Sequence, residues 1–135
     1  MPPSFIEGYM FGHVTVGTKD LKHAGCFYDA VLGVLGHVRA FERKTLICYG
    51  DQSGSRFFVM LPFDGNAASV GNGTHIAFNA ATRVVVDAFH SMALASGGTN
   101  EGLPGPRKHY HDRYYGAYVR DLDGNKLQAV CHKLE

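Results

Sequence analysis

Among the side chains of this 135-residue protein, its eight histidines have the widest chemical range. An imidazole can take up a proton near neutral pH, pass it on, or bind a transition metal. Two of them, His13 and His75, open similar segments, His13-Val14-Thr15-Val16 and His75-Ile76-Ala77-Phe78. In a strand, residues alternate between faces, so each segment turns its aliphatic side chains one way and its histidine the other. The last expected strand adds a third group: Lys126, Gln128, Val130 and His132 share one face, and Leu127, Ala129 and Cys131 share the opposite one. Two imidazoles with an oxygen ligand are raw material for a divalent metal site. The Gln128 amide can supply that oxygen, but it carries no negative charge and is a poor general base. The repeat pairs Gln128 with Met60, a soft thioether that hard ions do not favour. The same histidines also fit a plain polar face on a half-open sheet.

A second group of donors lies in residues 107–116, where His109, His111, Arg113 and Tyr115 are crowded with other rings. They suit a pocket wall that receives an oxyanion or carboxylate, with Tyr115 stacking or hydrogen-bonding. His109 and His111 could hold a metal if the segment is extended. A solvated loop packed on the sheet is the alternative.

These groups need elements to position them. Residues 11–16 read as a strand, followed by a helix over about 19–32 with Thr18 as its cap, Leu21, Ala24, Tyr28 and Val31 as its apolar stripe, and Gly33 as its stop. Three short strands are expected over 34–41, 45–49 and 56–63, the last bearing Phe58 and Met60 as ligand-contacting positions. Residues 64–73, small, polar and glycine-rich, read as a linker. The order then begins again: a strand over 74–79, a helix over about 82–96 with Val85, Phe89 and Met92 in line, a weak strand around 99–103, a loop rich in Gly and Pro over 102–106, and strands over 114–120 and 126–132. The chain is therefore read as one domain of two repeats, about 8–63 and 72–133, each too small to bury a core alone. The fold class is α+β, with mostly antiparallel sheets and helices on the outer face.

Composition narrows the function classes. Thirteen Lys and Arg against twelve Asp and Glu leave a net charge of +1, so neither nucleic acid nor an anionic membrane is an expected partner. No apolar stretch approaches the ~20 residues of a membrane-spanning helix. Residues 1–4 lack a signal-peptide pattern, and a cytoplasmic location is expected. Cys26, Cys48 and Cys131 have no paired spacing and are expected as buried free thiols. His23, His37 and His90 are expected at the surface. Gly-rich stretches lack a phosphate-loop ending, and no nucleophile elbow is present.

Taken together, His13-Val14-Thr15-Val16, Asp20-Leu21, Phe27-Tyr28-Asp29-Ala30-Val31-Leu32-Gly33, His75-Ile76-Ala77-Phe78 and the run from Tyr118 through Asp121-Leu122-Asp123-Gly124-Asn125 to Gln128 resemble the vicinal oxygen chelate superfamily. That group includes glyoxalase I, the bleomycin and fosfomycin resistance proteins and the extradiol dioxygenases. The resemblance implies two βαβββ modules forming a cupped mixed sheet, often completed as a homodimer, with a small-molecule ligand in the cup. It implies His13, His75 and Gln128 as ligands for one divalent ion (Zn, Ni, Mn or Fe), with Gln128 standing where the pattern most often has glutamate. Met60 is read at a second acidic position of metal-dependent lyases, so Gln128 and Met60 both weaken the metal site. A glyoxalase-like or dioxygenase-like enzyme acting on neighbouring substrate oxygens is one expectation, with no catalytic base assigned. A metal-free, drug-sequestering binding protein is the other.

Overall fold

The computed structural model describes residues 10–51 and 54–134. The readings of residues 1–4, of the first two residues of the first repeat, and of Gln52 and Ser53 in the turn before the third short strand lie outside these. The chain runs β1 (His13–Gly17), α1 (Leu21–Val34), β2 (Arg39–Glu42), β3 (Leu46–Tyr49), β4 (Arg56–Met60), β5 (His75–Asn79), α2 (Arg83–Ala95), β6 (Thr99–Pro106), β7 (Tyr115–Arg120) and β8 (Lys126–Cys131). Two four-stranded sheets result, ordered β1-β4-β3-β2 and β5-β8-β7-β6. In each, the first strand pairs parallel with the last strand of its own half and the remaining pairs are antiparallel. This is an α+β fold made twice from strand, helix and three strands.

Several local expectations are corrected. The Asp20 side chain, not Thr18, caps α1 by accepting from the His23 amide; buried Thr18 instead holds the Asp20 amide through its hydroxyl. The helix passes through Gly33 and ends at Val34 with Leu35 as its C-cap, because the left-handed conformation that closes it falls on Gly36, at φ +94°. Along α2 the buried row is Val86, Phe89, His90 and Ala93, while Met92 reaches solvent. His90 is thus a core residue, its ring bonded to Asn100 Oδ1 at 2.9 Å. Cys26 is exposed, whereas Cys48 and Cys131 are buried. The Gly- and Pro-rich loop is part of β6, eight residues long. Prolines are tolerated there because β6 is an edge strand, and its pairing with β7 slips at two places.

The apolar face of each sheet carries its own helix, and both halves share one core. Phe57 of β4 meets Phe78 of β5 edge-on at 5.1 Å, and Phe78 in turn meets Phe89 of α2 at 6.4 Å between ring centroids. A polar node adds to this junction. Asp121, buried after β7, accepts the Tyr28 hydroxyl from α1 at 2.5 Å and the Asn125 side-chain amide at 2.9 Å. Its other oxygen takes the backbone amides of Asp123 and Asn125, at 2.9 and 2.8 Å. Asn125 then donates to the Gly17 carbonyl at the end of β1, at 3.1 Å. The turn after β7 therefore clasps the first half. Burial, and after it the Asp121 charge, push the Tyr28 phenol well above its ordinary range.

Candidate functional site

The face of each sheet turned away from its helix carries the histidine of the first strand, and strand register fixes its neighbours. On the first sheet, His13 stands across from Arg56, and Thr15 across from Phe58. The imidazole of His13 meets the Phe58 ring edge-on at 5.0 Å, and Phe58 meets Phe41 at 6.0 Å. The guanidinium groups of Arg43 and Arg56 lie 4.7 and 5.7 Å from the Phe41 ring. On the second sheet, His75 stands across from Lys126, and Ala77 across from Gln128. His75 meets Tyr118 edge-on at 5.7 Å, and Lys126 Nζ and the Arg107 guanidinium lie 5.0 and 5.7 Å from that ring. Both imidazoles are exposed.

The register corrects one equivalence. His13 lies across from Arg56 as His75 lies across from Lys126, so the partner of Gln128 in the first half is Phe58, two residues on, and not Met60. Met60 sits across from Gly17 at the end of β1. An apolar ring therefore stands where the first half would place a second oxygen ligand.

Gln128 is 1% exposed, and its amide donates to the Tyr114 hydroxyl at 2.6 Å. Gly116 makes room for this arrangement, because a Cβ there would lie 2.9 Å from Gln128 Nε2. Tyr114, not Tyr115, is the loop residue that reaches the Gln128 side. Tyr115 lies on the helix side of β7, its hydroxyl donating to Asp87 at 2.7 Å under the Arg83 guanidinium. Strand parity could have found this: Tyr114, Gly116 and Tyr118 share one face, and Tyr115, Ala117 and Val119 the other.

The donors before β7 form a ring cluster. The His109 ring packs on Tyr110 at 4.2 Å, and Tyr110 packs on Tyr114 at 4.7 Å. The Arg113 amide donates to His111 Nδ1 at 3.0 Å, which leaves the His111 proton on Nε2, pointing at His132 Nδ1 3.0 Å away. Tyr114 stands edge-on to both imidazoles. His111 is thus tied to His132 and not to His109, while the Arg113 guanidinium makes no ion pair with the described residues. A shallow depression of about 250 Å³, lined by Thr18, Asp20, His23 and Asp123 among others, opens near the start of α1 and includes none of these residues.

Burial, and after it a hydrogen bond with Tyr110, push the Tyr118 phenol from 10.0 up to about 12. A phenol held neutral in the fold but free to ionise when unfolded stabilises the protein fully below the unfolded value, and that contribution is lost as pH rises through the folded one. Stability in urea should therefore fall between pH 10 and about 12, less steeply in Tyr118→Phe. An unchanged slope in that variant would show that Tyr118 titrates freely.

The donor set fits a divalent ion poorly. Two imidazoles and one amide bring no carboxylate, and Arg56 and Lys126 stand across from the two histidines; the Tyr114 hydroxyl takes a Gln128 Nε2 hydrogen and leaves Oε1, the atom that would bind a metal, outside that bond. No three His, Cys, Asp or Glu side chains come together at metal-binding spacing among the described residues. No helix among them is long and apolar enough to cross a membrane.

The doubled strand-helix-strand order and the paired first-strand histidines define a class, and sequence comparison bears this out. The profile of the Glyoxalase/Bleomycin resistance protein/Dioxygenase superfamily matches residues 10–129. The chain belongs to this superfamily. A solved glyoxalase/bleomycin resistance protein from Albidiferax ferrireducens T118 is 40% identical, with a TM-score of 0.84 over 91% of this chain and 98% of that one. A glyoxalase-related enzyme from Fulvimarina pelagi (21% identical, TM-score 0.71, covering 90% and 86%) shares the fold. So does a lactoylglutathione lyase from Agrobacterium tumefaciens (18% identical, TM-score 0.65, covering 90% and 92%). No curated protein matches the sequence significantly.

Proposed function

We propose that the protein is a small-molecule-binding member of this superfamily whose open sheet faces receive the ligand without a divalent ion. The observation that carries this reading is the lining of those faces: Phe41 and Phe58 with His13 on one, Tyr118 with His75 on the other, with Arg56 and Lys126 across from the histidines. Rings and cations suit an organic ligand, whereas the positive charge of Arg56 and Lys126 repels a metal cation placed beside the histidines. His13, His75 and Gln128 are the residues that would hold a divalent ion. The absence of a carboxylate from that set and the cations across from both histidines argue against lyase or dioxygenase chemistry driven by a Lewis acid at this place.

Each face is open on its outer side. We place a second copy of the chain over them, so that the first-half face of one subunit and the second-half face of the other close one cup. His109, Arg113 and the His111 and His132 pair then stand at its rim, with Tyr114 covering Gln128.

The test uses imidazole NMR signals in chelator-treated protein, with benzyl alcohol and benzoate as probes. The signals of His13 and His75 should move on addition of a probe, those of His23, His37 and His90 should stay, and zinc should not be needed. Movement confined to His23, or binding only after zinc is restored, would overturn the proposal.

A further inference from the structure

We infer that the ligand of the open faces is an oxyanion carried on a flat ring, held by Arg56 and Lys126. The inference rests on the reading of those faces as the ligand site and names the ligand's chemistry. Arg56 and Lys126 occupy equivalent positions in the two halves, each directly across a parallel strand pair from the half's histidine. Each has a second cation beside it on the same aromatic ring: Arg43 with Arg56 over Phe41, and Arg107 with Lys126 over Tyr118.

Two like charges near one ring repel, and a cation–π contact returns only about 0.5–1 kcal/mol at an exposed site. The ion pairs formed among the described residues join Asp20 to His23, Asp29 and Glu42 to Arg39, and Glu101 to Arg120, and use none of these four cations. The Arg107 guanidinium is held in place by the carbonyls of Gly105 and Leu103, both at 2.9 Å, which aim it but do not neutralise it. In a chain whose net charge is only +1, two matched cation pairs on the open faces are a concentration of positive charge awaiting an anion. Carboxylate and phosphonate share the chemistry that would satisfy it, and the rings beside the cations supply a stacking surface.

The experiment compares four probes of one shape, benzoate, phenylphosphonate, benzyl alcohol and benzylammonium, by affinity for the chelator-treated wild type and for Arg56→Met/Lys126→Met. The wild type should bind at least one anion about tenfold more tightly than benzyl alcohol. Benzylammonium should bind most weakly, and the anion preference should shrink as salt is raised. The double variant should lose the preference for anions over benzyl alcohol, and Arg56→Lys should retain most of it. The benzoate and phenylphosphonate arms show which oxyanion the cations prefer. Equal affinity for benzyl alcohol and both anions, or a preference that survives the double substitution, would overturn the anion assignment while leaving the faces as the ligand site. Failure of all four probes to bind there would instead overturn the reading on which it rests.

Discussion

Asp121→Ala should cost about 3–4 kcal/mol of unfolding free energy, enough to remove much of the stability of an ordinary domain. Alanine takes away the acceptor for four donors at once: the Tyr28 hydroxyl, the Asn125 amide group and the backbone amides of Asp123 and Asn125. Buried donors without partners cost about 1–3 kcal/mol each, though the backbone pair at the turn can recover water. The loss is not confined to the turn, because Asn125 also anchors the end of β1 through the Gly17 carbonyl. Urea denaturation measures it. Asp121→Asn keeps one acceptor oxygen and should cost less, and Tyr28→Phe should cost about 1 kcal/mol. A double-mutant cycle between Tyr28→Phe and Asp121→Asn should show coupling, whereas additive losses would mean that the node does not act as a unit.

Phe89→Ala should cost about 3–5 kcal/mol, the usual loss for emptying a fully buried phenylalanine site. Its physical interest lies in where the loss is felt. Phe89 is fully buried and continues the ring sequence from Phe57 through Phe78, so the cavity would open in the core that both halves share. Unfolding should remain a single transition shifted to lower urea, with signals from either half moving together. Two separated transitions, the first confined to the second half, would contradict a shared core.

The fold was largely legible because its signals are periodic. Alternation marked β1, β5 and β8, and helical spacing marked α1 and α2. Features that depend on tertiary partners were not. Only a weak strand is readable around 99–103, and residues 102–106 of β6 read as a loop because Gly and Pro dominate them; only a position at a sheet edge makes that part of the strand possible. His90 reads as a surface residue until Asn100 satisfies its ring inside the core.

At the candidate site, the faces of His13, His75 and Gln128 follow from strand parity, but the register between strands does not. His13 lies 43 residues before Arg56, and His75 lies 51 before Lys126, mainly because β6 and β7, and the loop between them, are longer than β2, β3 and theirs. Counting along the repeat therefore slid from Phe58 to Met60. The four cations were invisible for a related reason. Arg43 and Arg56, and Arg107 and Lys126, meet across strands and loops, and only the folded sheet brings each pair to one ring.

Imidazole NMR of chelator-treated protein tests most directly whether the open faces take an organic ligand without a metal. On addition of benzoate, the signals of His13 and His75 should shift saturably while that of buried His90 stays fixed, and subsequent zinc should leave the benzoate affinity unchanged. Silent His13 and His75 signals, or a benzoate response that appears only once zinc is present, would contradict metal-free binding.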